Sequence, residues 1–490
     1  MILCSLRRTI APVLAALLIF APLPAAAAPP ALEQAVADAL EQAPQGTRFG
    51  VLVVDEDGEE VIAVNADQRF IPASNTKMLT TAAALAMLAD VAAPDHSGGA
   101  SVALERQGSA VDAVLRGNGD ARLSSAPDCV TNCLAALADA VAAQTRQLRA
   151  VVGDDTRFPD ERWSPGMSWN NISSRYGTGI SALTLDDNEA VLTITPGATG
   201  TVPEVASLGY YVVTNLAITR TAAPTALEIA RMPGERTLRL TGTIAPGAAP
   251  AVLRIGIDDP AHYAAWRMGQ LLAARGVRID APPEARHRPL SASDDPAHRG
   301  HATVQQLAPA PVLAALTPAP LSEDVRTVNK ISQNLHAELL MRRLGLIEGA
   351  GSIADGVAMV ARLMAAAGVP RTAWDLADGS GMSSYNRIAP RALVGLLRHA
   401  ATQPWGAAWR ETFPIGGVDG TISRRFRGTA LEGKIFAKTG TLNQTNALSG
   451  YLTAASGRTL TFSMIANDVP GDVGATGAMD AALVAIAAAN

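Results

Sequence analysis

The chain has 490 residues, 48% apolar and 17% charged, with a formal net charge of −5 at neutral pH. That length and apolar content exclude a disordered chain and allow two or three domains around at least one large core. The acidic balance offers nothing to a nucleic-acid partner, and with only 4% aromatics the core must be built largely from Ala, Leu, Val and Ile.

Arg7 and Arg8 form a basic start, Val13 to Ala21 is a short apolar run, and "PLPAAAA" offers small residues for cleavage near Ala27. Residues 1–27 are therefore predicted to be a signal peptide of an exported, periplasmic or cell-envelope protein. The apolar run is too short for a permanent membrane span. Without the two arginines the formal charge falls by two, to −7. Cys4 leaves with the leader. Cys129 and Cys133 lie four apart in "PDCVTNCLAALADAVAA", which reads as a helix start. In an oxidising compartment they can close a local disulfide, near the upper span that helical spacing allows.

"TRFGVLVVDEDGEEVIAVNADQRF" alternates around an Asp-Gly turn and predicts a hairpin, followed by a helix from about Ser74. From about residue 95 to 307 short β-like runs and Gly/Pro turns take over, with a nested β unit around 200–250. "DDPAHYAAWRMGQLLAARGV" predicts a helix capped by Asp and ended by Gly, and "RHRPLSASDDPAHRGHATVQQLAPAP" a polar connector. Helical patterns follow at 332–345, 352–368 and 390–402, then three strand-like runs and an Ala-rich terminal helix. The simplest architecture is an α/β (α+β) catalytic domain, an antiparallel sheet flanked by helices, made of residues 28–94 and 308–490. Residues 95–307 split it as one or two smaller β-rich inserted domains.

Ser74 and Lys77, three apart, share a helix face behind Pro72. Alone, the pair reads as an N-cap serine and an ordinary exposed lysine. Ser332-Gln333-Asn334 opens a helical pattern, and Lys438-Thr439-Gly440 lies on a β-like run. Together they are the S-x-x-K, S-D-N, K-T-G set of penicillin-binding proteins and class A β-lactamases, in that order, with Gln in the middle of the second. A serine needs an adjacent base, and lysine serves only if burial and a neighbouring cation, Lys438, lower its pKa. Ser332 would relay a proton to the leaving amine, and Asn334 would hold Lys77 and the substrate amide. Lys438, Thr439 and Thr441 would take a substrate carboxylate, with Gly440 between the threonines. The backbone N–H groups of Ser74 and Thr441 would form an oxyanion hole.

Longer phrases extend the likeness: "FIPASNTKMLTTAAAL", "RGNGDARL", "VVGDDTRF", "YGTGISALTLDDN", "VNKISQNLHAELLMRRLG", "DGSGMSSYNRIAP", "GVDGTISRRF" and "AKTGTLNQTNALSGYL". The chain resembles the D-alanyl-D-alanine carboxypeptidase/endopeptidase family, the class C type of low-molecular-mass penicillin-binding proteins. The resemblance implies acylation of Ser74 by peptidoglycan stem peptides, release of D-Ala or a cross-linked partner, and hydrolysis of the acyl-enzyme. β-Lactams would acylate the same serine, and no cofactor is implied. It also implies an insertion acid facing the amino end of diaminopimelate, Asp154 or Asp155, with Asp154 preferred from its spacing to Phe158. Where the family commonly carries an arginine after "DGSG-x-S", this chain has Ser384, and Arg387 is the substitute to consider.

Three other patterns lead nowhere. "GTALEGKI" lacks the hydroxyl residue of a P-loop. His298 and His301 sit in the connector without a matching acid, and His336 and Glu338 have no partner motif, so no metal site is expected. No G-x-S-x-G is present for an α/β-hydrolase triad. The alternatives to a DD-peptidase are a serine β-lactamase or esterase of the same fold, and a catalytically weak peptidoglycan-binding scaffold.

Overall fold

Two alternating runs around a tight turn make the first hairpin. In the computed structural model, which describes residues 30–221, 224–300, 304 and 311–490, strands Arg48–Val54 and Glu60–Val64 pair antiparallel. Gly58 takes φ +94°, and the Asp55 carboxylate accepts from the N–H groups of Asp57, Gly58 and Glu59. The expected leader, residues 1–27, and His301 lie outside the described residues.

The three late strand-like runs join this hairpin. The sheet runs in space as Ile435–Leu442, Thr445–Thr453, Thr459–Asn467, Arg48–Val54, Glu60–Val64, antiparallel throughout. Helices Pro30–Leu40 and Thr476–Ala489 cover one face, where Val36, Met479 and Leu483 meet Val51 and Phe462. Helices Thr76–Met87, Leu321–Lys330, Asn334–Gly345, Ile353–Ala366 and Pro390–Ala401 cover the other around Leu79, Met341 and Leu397. With both faces covered, the central strand Thr459–Asn467 is buried along nearly its whole length instead of alternating. The expected α/β class with an antiparallel sheet flanked by helices is the one observed.

The insertion carries its own mixed sheet of Glu284–Arg288, Val151–Pro159, Ala110–Arg116, Ser101–Gln107 and Ala314–Ala315, in that order in space. Helices Leu134–Gln144 and Pro260–Ala274 pack on it through Leu137, Tyr263 and Met268. The Asp259 carboxylate accepts from the His262 N–H at 2.9 Å and caps the second helix, as the sequence predicts. Strands Val212–Asn215, Ala226–Ala230 and Thr237–Ile244 form the nested β unit.

Three expectations need correction. Cys129 and Cys133 are disulfide-bonded with Cα atoms 5.8 Å apart, but in a non-helical loop; the helix starts at Leu134. The connector is partly a strand, because Arg286 and Arg288 pair with the Asp154 strand. Residues 311–316 belong with the inserted sheet, although 308 was the expected return point. Ala314 pairs with Val102, and the Asp95 N–H donates to the Pro318 carbonyl, so the chain enters and leaves the insertion side by side. Prolines break that stretch into pieces too short to alternate.

Candidate active site

The sequence "PASNTK" makes a 3₁₀ turn, Ala73–Asn75, before the helix Thr76–Met87 begins. Ala73 has φ +46°, a left-handed conformation that a residue with a Cβ adopts only under tertiary constraint. The constraint is visible. A Cβ on Gly381 would lie 1.9 Å from the Ala73 carbonyl oxygen, and one on Gly440 would lie 2.6 Å from the Pro72 oxygen. Two glycine-bearing segments therefore clamp the turn that presents Ser74. Asn75 ties it to the sheet: its amide donates to the Lys438 carbonyl at 2.7 Å and its Oδ1 accepts from Ser449 at 2.8 Å.

Lys77 lies behind Ser74, wholly buried. Its Nζ donates to Ser74 Oγ at 2.8 Å, Asn334 Oδ1 at 2.6 Å and the Ser380 carbonyl at 2.5 Å. Burial lowers its pKa to about 7, against the opposing pull of Asp378 and Glu338. Burial is one of the two expected causes; the other, the Lys438 cation, is not among the causes of this shift, and the flanking carboxylates oppose it. Lys438 is buried too and held well below its ordinary value, by burial first and by Lys77 second. Its Nζ donates to Ser332 Oγ at 2.8 Å and to the Thr439 carbonyl at 2.9 Å. Ser332, at φ +62°, faces Ser74 across a cleft of about 940 Å³ that Asn334, Thr439 and Thr441 also line. Thr439 and Thr421 share a hydroxyl–hydroxyl bond of 2.7 Å.

The segment Asp378–Ser383 supplies the carbonyl that orients Lys77. The Asp378 carboxylate accepts from the N–H groups of Gly381 and Ser383 and from the Asn386 amide. Glu338 accepts from the N–H groups of Gly379 and Ser380, and burial with Asp378 nearby pushes its pKa up. Glu338, read as partnerless in sequence, thus holds a wall of the site. The insertion reaches the cleft as well. Tyr176, Asn171 and Ser174 line it, and the Asn334 amide donates to the Tyr176 carbonyl at 2.8 Å, which turns Oδ1 toward Lys77.

Asp154, its alternative Asp155, Ser384 and Arg387 do not line the cleft. Asp154 is buried in the inserted sheet, accepting from Arg286 at 3.0 Å and Thr156 at 2.7 Å. Asp155 likewise binds Ser181 and His287. Ser384 is exposed and donates to the Gly166 carbonyl, while Arg387 turns back onto the carbonyls of Ser384 and Asn386. In each case a local partner satisfies the group before substrate could. Among the described residues no group of three or more His, Cys, Asp or Glu side chains is placed to hold a metal. No described helix is long and apolar enough to cross a membrane.

A family model described as the D-Ala-D-Ala carboxypeptidase 3 (S13) family matches residues 32–489. The chain belongs to that family. An S13 relative, the D-alanyl-D-alanine carboxypeptidase of Actinomadura sp. (strain R39), is 34% identical over 445 residues, 86% of this chain and 78% of its own length. The D-alanyl-D-alanine carboxypeptidase DacB of Haemophilus influenzae is 25% identical over 447 residues, 88% of each. The crystal structure of penicillin binding protein 4 (dacB) from that organism superposes with a TM-score of 0.76 at 21% identity, over 91% of this chain and 98% of that one. The fold of this chain is therefore that of penicillin binding protein 4 over 91% of its length.

Proposed function

We propose that this S13 protein is an exported serine DD-peptidase that cleaves peptidoglycan stem peptides through an acyl-enzyme on Ser74. In acylation the Ser74 hydroxyl proton passes to neutral Lys77 as Oγ bonds to the carbonyl carbon of the penultimate D-alanine. The amide C–N bond then breaks, and Ser332 hands the leaving amine its proton, drawn from Lys77. Lys438 holds Ser332 and, with Thr439 and Thr441, receives the terminal carboxylate. Water then hydrolyses the ester, which restores Ser74. Free D-alanine as leaving group gives carboxypeptidase action, and a cross-linked strand gives endopeptidase action. β-Lactams would acylate Ser74 by the same steps, with the leaving group tethered.

One observation carries this reading: a wholly buried lysine with a pKa of about 7 whose Nζ lies 2.8 Å from the hydroxyl of a partly exposed serine. Such a lysine is a base at neutral pH, and an ordinary one is not. The test is incubation with a stem pentapeptide ending in D-Ala-D-Ala, read by mass spectrometry. We expect tetrapeptide and free D-alanine from the wild type and neither from Ser74→Ala. Equal release from both would contradict the assignment.

A further inference from the structure

A second cavity, of about 570 Å³, opens at the end of the central sheet away from the catalytic cleft and shares no lining residue with it. Its floor is Phe436 and Tyr451, paired across neighbouring strands. Phe436 is two residues before Lys438 on the same face of its strand, hence about 7 Å along it. Arg410, from the short helix Gly406–Glu411, lies over both rings, its guanidinium carbon 4.6 Å from the Phe436 centroid and 5.4 Å from that of Tyr451. Arg410 forms no ion pair among the described residues, and its buried Nε has no hydrogen-bond partner. Arg398, the other arginine of the wall, is occupied by the carbonyls of Asp55 and Glu56.

We infer that this cavity is an accessory ligand site for a small monocarboxylate with an apolar body, held by Arg410 over the Phe436–Tyr451 floor. A guanidinium lying over two rings and without an ion-pair partner among the described residues is suited to a bidentate carboxylate. The volume lies in the range of small-ligand pockets, and an aromatic floor meets a wall of charged and threonine side chains. Tyr451 cannot compete, because its hydroxyl donates to the Leu397 carbonyl at 2.7 Å. Glu56 and Glu411 at the wall balance the two arginines, which favours a single negative charge over a phosphate dianion. Nothing in the catalytic proposal uses these residues.

Saturation-transfer NMR on the full mature chain tests this with benzoate as probe and benzamide as its neutral isostere. Benzoate should bind at least about ten-fold more tightly than benzamide, as a charge-assisted pair requires. Arg410→Met and Ala407→Trp, the second filling the cavity from an exposed helix position, should each abolish benzoate binding while the thermal midpoint stays near wild type. Ala407→Trp leaves Arg410 in place and covers the case in which Arg410→Met does not fold. No benzoate binding in wild type, equal binding of benzamide, or binding that survives Ala407→Trp would overturn the inference. None of these outcomes depends on Ser74 being the nucleophile.

Discussion

Lys77 makes three contacts through one nitrogen, and its protonation state decides what they mean. As an ammonium it donates to Ser74, Asn334 and the Ser380 carbonyl; neutral, it keeps two donors and turns its lone pair to the Ser74 hydroxyl. Its pKa is lowered from 10.5 to about 7, so the reactive neutral form is gained as pH rises through 7. The rate of acylation by a penicillin should therefore rise with a single inflection near pH 7 and then level off. A rate independent of pH between about 5.5 and 9 would contradict a lysine base. Glu338→Gln keeps an acceptor for the Ser380 N–H but removes a charge that raises the Lys77 pKa, so that inflection should move to lower pH. Lys77→Met should slow acylation by about 10²–10⁴-fold, the usual worth of a positioned base. The motif residues were legible because their chemistry fixes their type. Asp378 and Glu338 were not, because their role depends on a chain segment that folding alone brings over Lys77.

At the scale of elements, the nucleophile's turn is held by close backbone approach. Gly381, at φ +89°, abuts the Ala73 carbonyl, and Gly440 abuts that of Pro72. Gly381→Ala adds a Cβ against backbone that cannot yield and forces it into left-handed φ. It should cost at least about 2–3 kcal/mol in chemical denaturation and lose penicillin acylation with it. A change below about 0.5 kcal/mol would show that the clamp is slack. The helices and strands that carry S-x-x-K, S-Q-N and K-T-G were legible from period and caps. The strand Glu284–Arg288 was not, since four of the five residues of "EARHR" are polar and it owes its place largely to ion pairs such as Arg286 with Asp154. Tyr176 and Gly177 open one of the phrases that carry the family resemblance, yet nothing in sequence says that the Tyr176 carbonyl meets Asn334.

Across the whole molecule, the insertion is tied to the helical layer by charged contacts, and one of them is pH-sensitive above neutrality. His336 is buried between Asp324 at 2.9 Å and Asp187 of the insertion at 3.1 Å, and Arg122 donates to the same Asp324 oxygen at 2.7 Å. Hydrogen bonds to the two carboxylates outweigh burial and raise its pKa from 6.5 to about 9. The folded-state value is the higher one, so this contact stabilises fully below about pH 6.5 and is lost as pH rises through 9. It should account for roughly 2–3 kcal/mol of declining stability over that window, a slope that His336→Gln removes. An unchanged slope would place the pH dependence elsewhere. The insertion's existence was legible from 258 positions between Ser74 and Ser332 against 106 from Ser332 to Lys438. Its ties were not, because His336 reads as a lone histidine until Asp187 is folded against it.

The most direct test of the account is intact mass of the mature protein mixed with a penicillin, for wild type and Ser74→Ala, followed over time. A DD-peptidase acting through Ser74 predicts a persistent one-to-one adduct in wild type and none in the variant. No adduct in wild type, or an adduct that survives Ser74→Ala, would contradict it, and an adduct that vanishes as hydrolysed drug accumulates would mark a β-lactamase instead.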